Sequence, residues 1–208
     1  ENLEEYENKS VFYAVRNKTR FEGQDIVIAG GGDSAMDWAV ELAPKANSLH
    51  VVHRRNSFRA AEDTVSKMRA LEAEGKITVH APSQLSALKG ENGQLEQVVL
   101  ADLDGNKTSV KAQSLMCFFG MSPALGPIAD WELELSCKKI AVTPSTMETT
   151  RKGILAIGDI TDYEGKLDLL LTGFDEGAIA AKTSQGIIDP DKKFKLVYTT
   201  SKGVPNSA

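Results

Sequence analysis

Apolar positions along the chain fall into short β-branched runs that alternate with stretches of helical period, the pattern of an α/β fold. Ile26-Val27-Ile28-Ala29 predicts a buried strand, and Met36, Ala39, Val40 and Leu42 follow at helical spacing. Ser48-Leu49-His50-Val51-Val52 predicts the next strand. Over 59–74, Ala61, Val65, Met68 and Leu71 share one helical face suited to packing on a sheet, and Gly75 stops that helix. Ile77-Thr78-Val79-His80 is a further strand. From 83 to 110 the pattern changes to short strands around turns at 89–93 and 104–106, which predicts a β-meander. Leu115-Met116-Cys117-Phe118-Phe119 returns as a buried strand. Gly120-Met121-Ser122-Pro123 then marks a break in composition. Beyond it, strands are expected at 140–142 and 154–157, a loop at 161–168, and a helix from about Phe174 to Ile188. Gly177, Ala178, Ala180 and Ala181 allow that helix to pack closely, and a last strand is expected at 194–198. The first 20 residues are a charged lead-in around the apolar cluster Val11, Phe12 and Tyr13.

The link between the first strand and its helix carries the candidate chemistry. Gly30-Gly31-Gly32 is followed by Asp33, Ser34 and Ala35, a G-x-G-x-x-A arrangement. In that arrangement Gly30 permits the tight turn, Gly32 lets a pyrophosphate approach the backbone, and Ala35 lets helix and strand pack closely. Free amides at the helix start face the phosphates, with the positive end of the helix dipole behind them. The second strand arrives where a βαβ unit requires it, and its tip is His53-Arg54-Arg55, with Arg59 beyond. A site for NAD usually places an acid there, on the ribose 2′-hydroxyl. Three arginines suit a 2′-phosphate instead, so the stretch predicts an NADP site rather than a solvated basic turn.

Composition narrows the function classes. At 208 residues and 41% hydrophobic content, the chain can hold one large or two small domains with real cores. A net charge of −5 argues against nucleic acid as the main partner. Two cysteines, Cys117 and Cys137, give neither a disulfide framework nor metal-ligand spacing, and three scattered histidines add nothing to a metal case. With no signal peptide and no apolar run of transmembrane length, the expected location is the cytoplasm, away from the membrane. The first residue is Glu1 rather than methionine, so a fragment or a processed form is expected.

Four ordered motifs, GGGDSA, HRRNSFRA, TMETTRKGILAIGDIT and LTGFDEGAIAA, resemble the two-dinucleotide flavoprotein reductases of the thioredoxin reductase superfamily. Within that group the match is nearest to the thioredoxin reductase-like ferredoxin/flavodoxin–NADP reductases. The resemblance implies FAD as a second cofactor. It implies that Gly158 and Asp159 lie beneath it, the aspartate bonding the ribityl chain. It also implies that Thr172, Gly173 and Phe174 lie at a helix N-terminus facing the flavin ring, where amides and dipole favour the negative charge of a reduced flavin.

Two departures shape the expectation. Thioredoxin reductases carry a Cys-x-x-Cys pair after a Val-x-Tyr segment, whereas Val11-Phe12-Tyr13 is followed here by Ala14-Val15-Arg16-Asn17. That removes dithiol exchange and favours a flavin that passes electrons directly to ferredoxin or flavodoxin. The family's N-terminal FAD half, with its own glycine turn, has no counterpart in the sequence. The expected architecture is therefore a Rossmann-type NADP-binding domain with a β-meander at 1–118, lead-in included. The C-terminal part of a second, FAD-binding Rossmann-like domain follows at 119–208, its tail at 198–205 resembling the extension these reductases lay near the flavin. The resemblance implies a homodimer. No catalytic acid, base or nucleophile is required, because the cofactor carries the chemistry. The alternatives are a disulfide reductase whose thiols lie elsewhere, and a non-catalytic NADP-binding module that reduces nothing in isolation.

Overall fold

Asp25 to Gly30 is apolar after its first residue because the strand it forms is covered on both faces. The computed structural model describes residues 3–121 and 124–192, and the chain divides into two compact units, Glu1–Met121 and Ser122–Ala208. The first unit begins with α1 (Leu3–Tyr6) and β1 (Val11–Phe12), then runs through β2 (Asp25–Gly30), α2 (Asp33–Leu42), β3 (Ser48–Val52), α3 (Glu62–Ala73) and β4 (Thr78–His80). Three further strands, β5 (Ser83–Glu91), β6 (Gln94–Asp102) and β7 (Lys107–Lys111), precede β8 (Ser114–Phe118). One sheet has the order β1-β8-β2-β3-β4, and every neighbouring pair in it is parallel. A second, antiparallel sheet is the predicted meander, in the order β5-β6-β7.

The continuous apolar run of β2 hides a strict alternation. Ile26 and Ile28 pack with Ala35, Met36 and Ala39 of α2 and with Met68 of α3. Val27 and Ala29 face the other way, into a cluster with Leu95, Val98 and Leu100 of β6 and Val110 of β7. Met68 is fully buried, so the helical face read at 61–71 does pack on the sheet. The one charge in β2, Asp25, is buried and held by Asn47 at 2.6 Å, Ser48 at 2.8 Å and Lys111 at 2.8 Å. The β5–β6 hairpin closes through Asn92 and Gly93 alone, both at positive φ of 56° and 78°, so the strand runs on through Lys89 to Glu91.

The second unit holds β9 (Leu135–Ser136), β10 (Lys139–Ala141), β11 (Thr161–Asp162) and the long helix α4 (Leu170–Ile188). Its small sheet has the order β11-β10-β9. Two expectations are corrected here. Residues 154–157 form no strand: Leu155 makes a single bridge to Glu148 before the chain winds into a 3-10 turn, Gly158–Ile160. The ladder stops because its only partner segment among the described residues is itself turning, with Met147 at a φ of 60°. The helix also begins at Leu170 instead of about Phe174, because extended Leu169 caps it and accepts the Gly173 amide at 3.1 Å. The strand expected at 194–198 and the tail at 198–205 lie outside the described residues.

Candidate functional site

β2 delivers Gly30 to the carboxyl edge of the parallel sheet, in register with Phe118. A Cβ on Gly30 would stand 2.5 Å from the Phe118 carbonyl oxygen and 2.9 Å from the Ala35 Cβ. Gly30 thus serves close packing of strand, strand and helix, and Ala35, wholly buried, is the small residue on the other side. Gly31 lies under the His53 imidazole, whose ring fills the space that its Cβ would need. Gly32 differs: a Cβ there would meet nothing within 4 Å. It caps α2 without any side-chain hydrogen bond, and the Asp33 and Ser34 amides have no acceptor among the described residues. The site therefore offers an open helix terminus and room for a ligand at the residue where a pyrophosphate would approach.

The tip of β3 folds back over this turn. The His53 amide donates to the His80 carbonyl at 3.0 Å, the Arg59 amide donates to the Gly31 carbonyl at 2.7 Å, and the Asp33 carboxylate accepts the Ala61 amide at 2.8 Å. His53 also stacks on Phe58, with ring centroids 5.3 Å apart. Arg54, Arg55 and Arg59 are exposed and form no ion pair with another described residue. Burial pushes the His53 imidazole below its ordinary range; the Ser57 carbonyl opposes this, and the three guanidinium charges add to it. Its Nε2 is buried without a hydrogen-bond partner among the described residues. Glycine turn, orphaned imidazole nitrogen and three uncommitted guanidiniums thus meet at one sheet edge, a set that fits a phosphorylated dinucleotide.

In the second unit, Gly158 takes a φ of 80° and Asp159 is exposed. A Cβ on Gly173 would stand 3.6 Å from the Gly158 α-carbon, so this turn and the start of α4 adjoin. The Thr172 amide has no acceptor among the described residues, whereas the Gly173 amide is committed to Leu169, and Phe174 is exposed. Sequence reasoning missed the residue behind them. Glu176 is 1% exposed; its Oε2 accepts the Gly158 amide at 2.6 Å, and its Oε1 accepts the Tyr163 hydroxyl at 2.8 Å and pairs with the Lys166 ammonium. Burial raises this carboxyl, but the bonds from Lys166, the Gly158 amide and Tyr163 outweigh it and hold it below its ordinary value. The same bond drives the Tyr163 hydroxyl up to about 12. The available signal was a lone acid on an otherwise small and apolar helix face.

A profile of the pyridine nucleotide-disulphide oxidoreductases matches residues 2–158. The chain belongs to the pyridine nucleotide-disulphide oxidoreductase family. It is 47% identical to the ferredoxin–NADP reductase of Acidiphilium cryptum, over 100% of this chain and 62% of that protein. It is 46% identical to that of Rhodospirillum rubrum, over 98% of this chain and 59% of that protein. A crystal structure of Lactococcus lactis thioredoxin reductase in its FR conformation matches with a TM-score of 0.75 at 28% identity, covering 89% of this chain and 60% of that one. The chain thus spans about three fifths of the length of the curated relatives it matches.

For a member of the pyridine nucleotide-disulphide oxidoreductase family, its sulfur chemistry is sparse. Both cysteines are free. Cys117 is buried in β8, and desolvation pushes its thiol up to about 11, far from the thiolate that exchange requires. Cys137 is exposed at the β9–β10 hairpin, where it and Lys138 form a two-residue turn at positive φ of 49° and 68°. Among the described residues, no helix is long and apolar enough to cross a membrane.

Proposed function

We propose that the chain is the NADP-binding unit and part of the FAD-binding unit of a ferredoxin–NADP reductase, with the division at 118/119. The observation that carries the reading is the cluster of Arg54, Arg55 and Arg59 beside the open terminus of α2. Gly30 and Ala35 set the turn, the amides following Gly32 hold the pyrophosphate, and the arginines with His53 hold the 2′-phosphate. Asp33 latches the basic loop to the turn through Ala61, and Ser34 contributes its amide. In the second unit, Gly158, Asp159 and the Thr172–Phe174 turn suit the ribityl and ring end of FAD. Among the described residues only the Gly30–Ala35 turn has the form of a pyrophosphate cradle, so the described residues of the second unit offer groups to the ribityl and ring end of FAD alone. When bound, the flavin supplies hydride acceptance from NADPH and one-electron release. The protein groups bind, orient and exclude water. The relatives named ferredoxin–NADP reductase support ferredoxin as the acceptor, with flavodoxin as an alternative one-electron carrier. The same reading gives a cytoplasmic homodimer with no nucleic-acid or membrane partner.

The structural likeness to thioredoxin reductase favours one other reading, a disulfide reductase. The two part on acceptor. In the FAD-loaded protein with its whole encoded sequence, NADPH is expected to drive ferredoxin reduction that survives the Cys117→Ser, Cys137→Ser double substitution. Thioredoxin disulfide is expected to stay oxidised. Loss of turnover in the double variant with flavin still bound would reverse the choice.

A further inference from the structure

Glu176 does more than fill the interior of the second unit. Its carboxylate is shared by three segments that are separate in sequence. These are the Gly158–Ile160 turn through the Gly158 amide, the loop before α4 through Tyr163 and Lys166, and α4 itself. Lys166 is as deeply placed as its partner, at 4% exposure against 1%. The carbonyl of Gly158 is held too, by the Thr161 hydroxyl at 2.8 Å, so both backbone groups of that residue are fixed from behind. At the other end of the loop, Lys139 of β10 grips both oxygens of Asp168 at 2.7 Å, just ahead of the helix cap. The Gly158-Asp159 turn and the first two turns of α4 are thereby fixed to each other through the Glu176 carboxylate.

Such a pair is an expensive way to hold a loop. Two buried charges lose more hydration than two apolar groups of the same size, and replacing both together often leaves stability unchanged or raised. What a buried charge pair supplies in some proteins is a single allowed register for the groups bonded to it. Here those groups include the amide of Gly158, the residue before Asp159.

We infer that Glu176, pinned by Lys166, is a positioning residue that sets the spacing between Asp159 and the amino terminus of α4 for the flavin. The inference rests on the reading above, in which those two features meet FAD. It adds that the buried pair, and not the exposed residues alone, determines how well they do so.

The test uses the protein with its whole encoded sequence, reading the FAD dissociation constant, the flavin absorption spectrum and NADP⁺ binding. A Glu176→Leu, Lys166→Leu double variant removes the buried charges together and is expected to fold with a lowered melting temperature, because the Gly158 amide and the Tyr163 hydroxyl lose their acceptor. It should bind FAD about tenfold or more weakly, with a shifted flavin spectrum. NADP⁺ affinity should be unchanged. If the apolar pair does not fold, Glu176→Gln, which keeps the shape and loses the charge, is expected to show the same loss of FAD affinity. Parent-like FAD affinity and spectrum in the folded variant would overturn the inference. Asp159→Ala separates the two claims. If it weakens FAD and the Glu176 variants do not, the positioning role fails. If it leaves FAD untouched, the flavin reading itself fails.

Discussion

Three consecutive glycines look interchangeable in the sequence, yet each answers to a different neighbour. Gly30 is pressed between the Phe118 carbonyl and Ala35, Gly31 lies under the His53 ring, and Gly32 faces open space. The substitutions should therefore part company. Gly31→Ala forces the imidazole off the turn and is expected to cost about 1–3 kcal/mol of stability, as overpacking does. Gly32→Ala meets no protein atom and is expected to cost under about 1 kcal/mol, the scale of a weakened helix cap. It should nevertheless abolish most coenzyme binding, because the methyl group would occupy the space proposed for the pyrophosphate. Melting curves beside coenzyme titrations of the two variants check this. Equal losses of stability in both would mean that the ring does not rest on Gly31. The role of Gly31 was not legible in the sequence, because the contact joins residues from two different βα connections.

At the scale of the element, β3 and β4 carry a feature that the apolar pattern alone did not reveal. His50 Nδ1 and His80 Nε2 lie 3.0 Å apart across the two parallel strands, within hydrogen-bond distance, with the tautomer deciding which ring donates. Burial lowers the affinity of both rings for a further proton, and at His50 the neighbouring His80 adds to this while Asp25 opposes it. His53, at the end of the same strand, is lowered as well. A group whose proton affinity falls on folding contributes stability above its ordinary titration range, and that stability is lost as pH falls through the folded value. For these histidines the window opens near 6.5 and extends downward. Melting temperature should thus decline on acidification from neutral pH, before Asp25 and Glu176, both held below their ordinary values, begin to protonate. A Gln substitution at His50 or His80 is expected to flatten the upper part of that decline. A pH profile identical to the parent's would remove the pair from the account. Strand positions themselves were legible wherever a run had a partner on each side, as at 26–29 and 115–118. They were not at 154–157, where an equally apolar run finds, among the described residues, only a turning segment beside it. Likewise, Leu169-Leu170-Leu171 gave no sign that the helix had already begun, because leucine suits strand and helix alike when its cap is an extended backbone.

For the molecule as a whole, what the sequence could show was the order of motifs, and what it could not show was how each is held. The glycine turn, the basic tip and the Gly158-Asp159 turn are local signals, readable within a few residues. Their supports are long-range: Asp33 to Ala61, Arg59 to Gly31, and Glu176 to Gly158, Tyr163 and Lys166. The lead-in is held in the same way, with the Ser10 hydroxyl donating to the Gly93 carbonyl at 2.9 Å and the Tyr6 hydroxyl to the Gly90 carbonyl at 3.0 Å. The first unit thus has the supports to keep the proposed coenzyme site formed in this chain. The second presents Leu170, Leu171 and Phe174 to solvent, 78–87% exposed, around the features assigned to FAD. The central claim is accordingly that the first unit holds NADP by its 2′-phosphate. Calorimetric titration of the 208-residue chain with NADP⁺ and NAD⁺, repeated on Arg54→Ala and Arg55→Ala, tests it most directly. A hydrogen bond from a charged group contributes about 1.5–3 kcal/mol, so each substitution should weaken NADP⁺ about tenfold or more and leave the weaker NAD⁺ binding unmoved. Equal affinity for the two coenzymes, or equal losses in both, would contradict it.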